Sequence, residues 1–193
     1  VLGLLASLFL WQVAHQAMPS TWSFYTMYKF GWTEAMVGGS LAFVGAIMVM
    51  GQSTLPRVLI PSLGERRTAL VGFVAGGTGY LGYAFATEGW MMFAWLLTWL
   101  LGALVMPSIQ SLMTHRVAVD AQGELQGAVG SLYGLSSFIA PPVMTQLFRR
   151  FTADDAPVHF PGAAFVLATI LVAGSMLLLL KATRQPPNAA GTS

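Results

Sequence analysis

The chain has 193 residues, 55% of them hydrophobic and only 8% charged, with a formal net charge of +2. A soluble domain carries roughly 25% charged residues, so this sequence cannot cover itself with a solvated surface, and a mean hydropathy of +0.68 agrees. The small net charge implies no basic face for nucleic acid, and the absence of cysteine excludes disulfides and thiolate metal sites.

Six apolar runs reach the roughly 20 residues that a helix needs to cross the hydrocarbon, which predicts an all-α integral membrane protein. The first run covers residues 1–28 and contains Pro19, which predicts a kink. It opens at Val1, already apolar, with no initiating Met and no basic flank. We therefore expect no signal peptide, and we expect coding sequence upstream. The second run covers 33–55 and is followed by a basic loop, 57–67. The third, 68–87, is rich in glycine and joins the fourth, 91–113, through a turn short enough to make them antiparallel neighbours. After a polar loop at 114–120 comes the fifth run, 122–148, with Pro141 and Pro142 inside it. A polar segment, 149–161, leads to the sixth run, 162–180. Residues 1–181 thus form a six-helix transmembrane bundle, and 182–193 a tail expected to be disordered.

Lysine and arginine in the loops give the orientation. Arg57, Arg66, Arg67, Arg116, Lys181 and Arg184 fall on one side, and Lys29, Arg149 and Arg150 on the other. The positive-inside bias puts the first set, and with it both ends of the segment, in the cytoplasm. The location implied is the inner (plasma) membrane, spanned several times.

Polar residues at membrane depth carry the functional information, because they are costly there. Gln12, His15, Gln16, Pro19, Ser23 and Thr26 share one face of the first helix. Gly38, Gly45 and Gln52 share a stripe of the second, Trp99, Ala103, Met106 and Gln110 of the fourth, and Gln122, Gln126, Tyr133 and Ser137 of the fifth. The third helix offers mainly glycine, and the sixth only Thr169 and Ser175. These stripes predict that the first, second, fourth and fifth helices line a polar cavity while the third and sixth face lipid. The alternative is a dry bundle whose amides hydrogen-bond between helices. Gln12, His15, Gln52, Gln110 and Gln126 are expected to converge on one surface. His15 is the one readily titratable residue well inside the membrane, either a proton shuttle or a neutral ring bonded to a neighbouring glutamine. No Gly-x-Ser-x-Gly elbow, His-Glu-x-x-His or phosphate loop occurs, so no enzyme is predicted. His115 and His159 lie in loops on opposite sides, which argues against a histidine metal site.

A set of segments carries a family resemblance. These are Phe30-Gly31-Trp32, Leu63-Gly64-Glu65-Arg66-Arg67, Gly79-Tyr80, and the stretch from Ala84 to Met91. Met106-Pro107-Ser108-Ile109-Gln110 and Gln122-Gly123-Glu124-Leu125-Gln126-Gly127 complete it. In this order and spacing, over residues 12–148, the chain resembles the second half of the tetracycline-efflux group of the major facilitator superfamily. The resemblance implies half of a twelve-helix transporter, built as two inverted three-helix repeats. It also implies that Gly64, Glu65, Arg66 and Arg67 are the second-half copy of the superfamily's cytoplasmic loop motif. Arg57 stands at the motif's leading glycine, and a basic residue is missing near Ser62. Gly76 stands where the group's pumps carry an aspartate, Met48 where one pump has a histidine, and Gln52 keeps the group's glutamine.

The function implied is proton-coupled efflux of a small drug-like molecule such as tetracycline, by alternating access. The candidate substrate contacts are Gln12, His15, Gln16, Trp22, Gln52, Trp99, Met106, Gln110, Gln126 and Tyr133. Tyr25 would add an aromatic wall, since drug-sized sites combine apolar walls with a few polar groups. The implied partners are the small-molecule substrate, the proton, membrane lipid and a preceding six-helix half. No cofactor and no nucleic acid are implied. A non-transporting accessory or scaffold protein, or a degraded gene product, is the alternative. An intramembrane hydrolase is disfavoured by the missing nucleophile motifs.

Overall fold

Proline chemistry explains two breaks in the helices. The computed structural model describes residues 1–184. In chain order it contains α1 (Leu2–His15), α2 (Ala17–Phe30), α3 (Glu34–Leu63), α4 (Glu65–Phe85), α5 (Gly89–Leu96), α6 (Thr98–Gly102), α7 (Val105–Thr114), α8 (Gln122–Thr152) and α9 (Ala163–Arg184). A 3-10 turn, Val119–Ala121, precedes α8. The first apolar run thus becomes two helices that meet at Gln16. Pro19 is the third residue of α2, where a missing N–H is tolerated. That N–H would have paired with the His15 carbonyl four residues back, which the ring also crowds, so the break falls ahead of the proline and not at it. Pro107 repeats the arrangement. It is the third residue of α7, and the carbonyl it leaves unpaired belongs to Ala103, just past α6. Between α5 and α6 the Thr98 hydroxyl donates to the Trp95 carbonyl at 2.6 Å, in competition with the amide ladder. Grouped across these breaks, the described residues make six rods.

Three segments, Glu34–Leu63, Gly89–Thr114 and Ala163–Arg184, are long and apolar enough to cross a membrane by length and composition. The hydropathy of the sequence suggested six. The first rod falls short because Gln16 cuts it into two 14-residue pieces, α4 because its glycines dilute it, and α8 because its polar stripe and prolines do so.

The segment 57–67 is not a loop. Helix α3 runs on through Pro56 and Pro61 to Leu63, and the whole connection to α4 is Gly64. Its φ of 79° is one that residues bearing a Cβ avoid, so it ends the helix where the prolines do not. Arg57 is thereby carried on a helix wall. At the other terminus α9 continues to Arg184, three residues into the stretch read as tail, and 185–193 lie outside the described residues.

Packing also corrects the role of the third rod. Helix α4 was expected to face lipid, yet it is wedged between α9 and the α6–α7 pair, with Phe73, Gly76, Tyr80 and Tyr83 buried. Its glycines and small residues permit the close approach. Helix α9 lies along α1 and α4. Ser7 and Ser175 tie α1 to α9 reciprocally, each hydroxyl donating to the other's carbonyl, at 2.8 and 2.6 Å.

The two ends of the bundle are distinct. At one, Glu65 pairs with His115 Nδ1 at 2.8 Å and accepts from the Ser111 hydroxyl, while the Arg116 guanidinium donates to the Ala182 carbonyl at 3.0 Å. At the other, the Tyr28 hydroxyl meets His159 Nε2 at 3.0 Å and Lys29 donates to the Tyr25 hydroxyl at 2.9 Å. The motif residue Glu65 therefore joins the start of α4 to the end of α7, whereas Arg66 and Arg67 are exposed.

Candidate functional site

Where α1, α3, α6, α7 and α8 come together they leave a cavity of about 540 Å³. Helix α1 gives it Trp11, Gln12 and His15, at the 3- and 4-residue spacing that stacks side chains on one face. Helix α3 gives Met48, Gln52, Pro56 and Arg57, again one helical stripe. The broken fourth rod gives Gly102, Ala103, Met106, Pro107 and Gln110, and α8 gives Tyr133. A small pocket adjoins it, sharing Trp11, His15, Met48, Gly102 and Ala103 and adding Gly76, Tyr80 and Trp99.

Six of the sequence-derived candidates line the cavity: Gln12, His15, Gln52, Met106, Gln110 and Tyr133. Trp99 lines the adjoining pocket. Three do not line either space. Gln16, at the break between α1 and α2, donates to the Ser137 hydroxyl of α8 at 2.7 Å. Trp22 is fully buried, with its indole N–H donating to Ser40 at 2.9 Å and its ring edge-on to Tyr83. Gln126 is exposed on α8, seven residues from Tyr133. Seven residues of helix span roughly 10 Å, and among the described residues of α8 Tyr133 alone lines the cavity. The expected convergence of five residues is therefore a convergence of four. Tyr25, the suggested aromatic wall, is buried like Trp22, and it donates to the Tyr83 carbonyl.

The amides divide between two chemistries. Gln16 behaves as packing glue between helices, and Gln12 donates to the weak acceptor Met106 Sδ at 3.1 Å. Gln52 and Gln110 have no hydrogen-bond partner among the described residues. Hydrocarbon cannot satisfy an amide, so these two are left to whatever fills the cavity.

Gly76 has a steric explanation. A Cβ built there would lie 2.8 Å from Cη2 of Trp11, which is itself buried and edge-on to Phe73. The indole occupies the space that an aspartate at this position would need.

Sequence reasoning overlooked Trp11, Pro56 and Arg57 as lining residues. Trp11 was hidden by an otherwise apolar neighbourhood. Arg57 was assigned to a loop, although continuing the Met48–Gln52 stripe by one more turn reaches Pro56 and Arg57.

Comparison with known proteins finds several curated relatives, although no family model matches the chain. The class G tetracycline resistance protein of Vibrio anguillarum is 41% identical over 146 residues, which is 76% of this chain and 37% of the relative. The class C protein of Escherichia coli is 30% identical over 171 residues, 88% of this chain and 43% of the relative. The class D protein of Salmonella ordonez is 29% identical over 181 residues, 94% of this chain and 44% of the relative. The chain thus spans less than half the length of the relatives it matches.

Proposed function

From a chain homologous over most of its length to the tetracycline resistance proteins, we propose that it forms the second half of a major-facilitator efflux transporter. In this reading a preceding six-helix half completes the cavity. The two halves rock against each other to expose it to either side in turn. The exported molecule is small, drug-like and tetracycline-like, and protons returning inward drive its export. Transport and not enzymatic chemistry is the activity. Membrane lipid surrounds all six rods.

The observation that carries the reading is the pair of unpartnered amides, Gln52 and Gln110, opening into a cavity walled by Trp11, Met48 and Met106. That combination of apolar walls with a few polar groups suits a drug-sized ligand. The paired breaks, with a proline third in both α2 and α7, support two inverted three-helix repeats. An in-plane rotation should superpose the first three rods on the last three.

In the full-length transporter, Gln52→Ala and Gln110→Ala should each reduce efflux from inverted vesicles several-fold, on the order of the 1–3 kcal/mol cost of an unmet polar group. Protein levels should stay normal. Undiminished efflux in both variants would take these amides out of the substrate path.

Orientation has its own test. If the Gly64 turn faces the cytoplasm, a cysteine replacing the exposed Ser62 should resist an impermeant thiol reagent added outside intact cells and react after lysis. Ready labelling from outside would invert the topology.

A further inference from the structure

The cavity holds a histidine to which the transport reading gives no separate role. His15 ends α1 and lines both the main cavity and the small pocket beside it. Its ring centroid lies 4.8 Å from that of Trp99 and 6.2 Å from that of Trp11. Among the described residues neither ring nitrogen has a hydrogen-bond partner, and neither is sealed off from the cavity as an orphaned buried atom. A histidine used as packing glue turns its nitrogens onto a protein donor or acceptor. This one leaves them to the cavity.

The groups around it define what a proton would meet. Helix α3 contributes Arg57 to the same cavity, α8 contributes Tyr133, and α4 contributes Tyr80 through the small pocket. The fourth rod lines both spaces without an ionisable side chain, and no carboxylate lines either one among the described residues. An imidazolium here has no counter-ion among the lining residues. What it has is the Trp99 indole, tilted at 51° with its centroid 4.8 Å away, inside the roughly 6 Å range at which an aromatic ring attracts a cation, with Trp11 at the edge of that range.

We propose that His15 is the proton-binding residue of this cavity, its imidazolium stabilised by the indoles of Trp99 and Trp11 instead of by a carboxylate. The proposal deepens the transport reading by naming where the proton sits, and it rests on that reading only for coupling to export. Protonation and its aromatic support belong to this chain alone. The step is a simple proton transfer from cavity water to a ring nitrogen, reversed when the cavity opens to the other side. Protonation adds a second positive charge to a cavity that already holds Arg57, so a cationic ligand and the proton exclude each other.

Tryptophan emission reads this directly, because an imidazolium beside an indole quenches it. The chain has six tryptophans, and among the described residues only Trp11 and Trp99 have a histidine ring as neighbour. His115 pairs with Glu65 and His159 with Tyr28. For the purified chain in detergent, lowering the pH from about 8 to about 3, through and below the ordinary histidine range, should remove up to two tryptophans' share of the emission in one step. The step should vanish in His15→Gln and persist in His115→Gln and His159→Gln. Absence of the step in the unaltered chain, or its survival in His15→Gln, would overturn the proposal. If His15→Gln does not fold, Trp99→Phe decides. It keeps the histidine, so the step should shrink by at least half, and an undiminished step would overturn the assignment. Efflux measured separately keeps the two readings apart. A His15 step in a protein that exports nothing would remove the transport function and leave the proton site standing.

Discussion

Replacing Gly162 with alanine should cost this protein roughly 1–3 kcal/mol of stability, the range for overpacking a filled interior. The new Cβ would lie 2.5 Å from the Ala84 carbonyl oxygen and 2.8 Å from the Ala84 Cα. Both are backbone atoms of the last turn of α4, so no rotamer change relieves the clash. Gly162 also accepts the Phe165 amide at 3.0 Å as α9 begins, and displacing it would loosen the start of that helix. A thermal melt followed by circular dichroism in detergent measures the effect. Gly130→Ala is the matched control. Position 130 lies inside α8, and a Cβ placed there would meet no neighbouring atom within 4 Å, so alanine there should be neutral or stabilising by about 0.5–1 kcal/mol. Indistinguishable melts for the two variants would mean that α4 and α9 do not approach as described.

Filling the cavity should have the larger functional effect. Ala103 lines both the main cavity and the pocket beside it, at the break between α6 and α7. Phenylalanine there has empty volume to grow into, which Gly162→Ala lacks, so Ala103→Phe should leave the melt nearly unchanged. In the full-length transporter it should lower efflux by about tenfold or more, equivalent to at least 1.4 kcal/mol of lost ligand affinity. Normal efflux at a normal melting temperature would show that the exported molecule does not pass this point.

The polar stripes read from the sequence reached the helices that line the cavity because a 3.6-residue period is a local property. Gln12, His15, Gln52, Met106, Gln110 and Tyr133 needed nothing more than their spacing. Gln16, Trp22 and Gln126 lie away from the cavity for a different reason. Whether an indole N–H meets Ser40 or a ligand, and where α8 diverges from α7, depend on contacts between distant segments. Two boundaries were misplaced. At Pro19 the break falls one turn ahead of the proline, and the basic residues from Arg57 to Arg67 suggested a loop where α3 continues to Leu63. The burial of α4 was hidden because glycine and alanine carry little hydropathy signal, although they are the residues that let helices approach closely.

The paired hydroxyls of Ser7 and Ser175 bear on how the protein is made. The two residues are 168 positions apart in the chain, so at 5–20 residues per second the ribosome delivers the second on the order of 10–30 s after the first. Through that interval the buried face of α1 has been inserted but lacks the helix that covers it. The nascent bundle must therefore be held open, by lipid or by the insertion machinery, until its last helix arrives. Chains terminated before α9 should be recognised by quality-control proteases as unfinished, with α1 as the exposed signal.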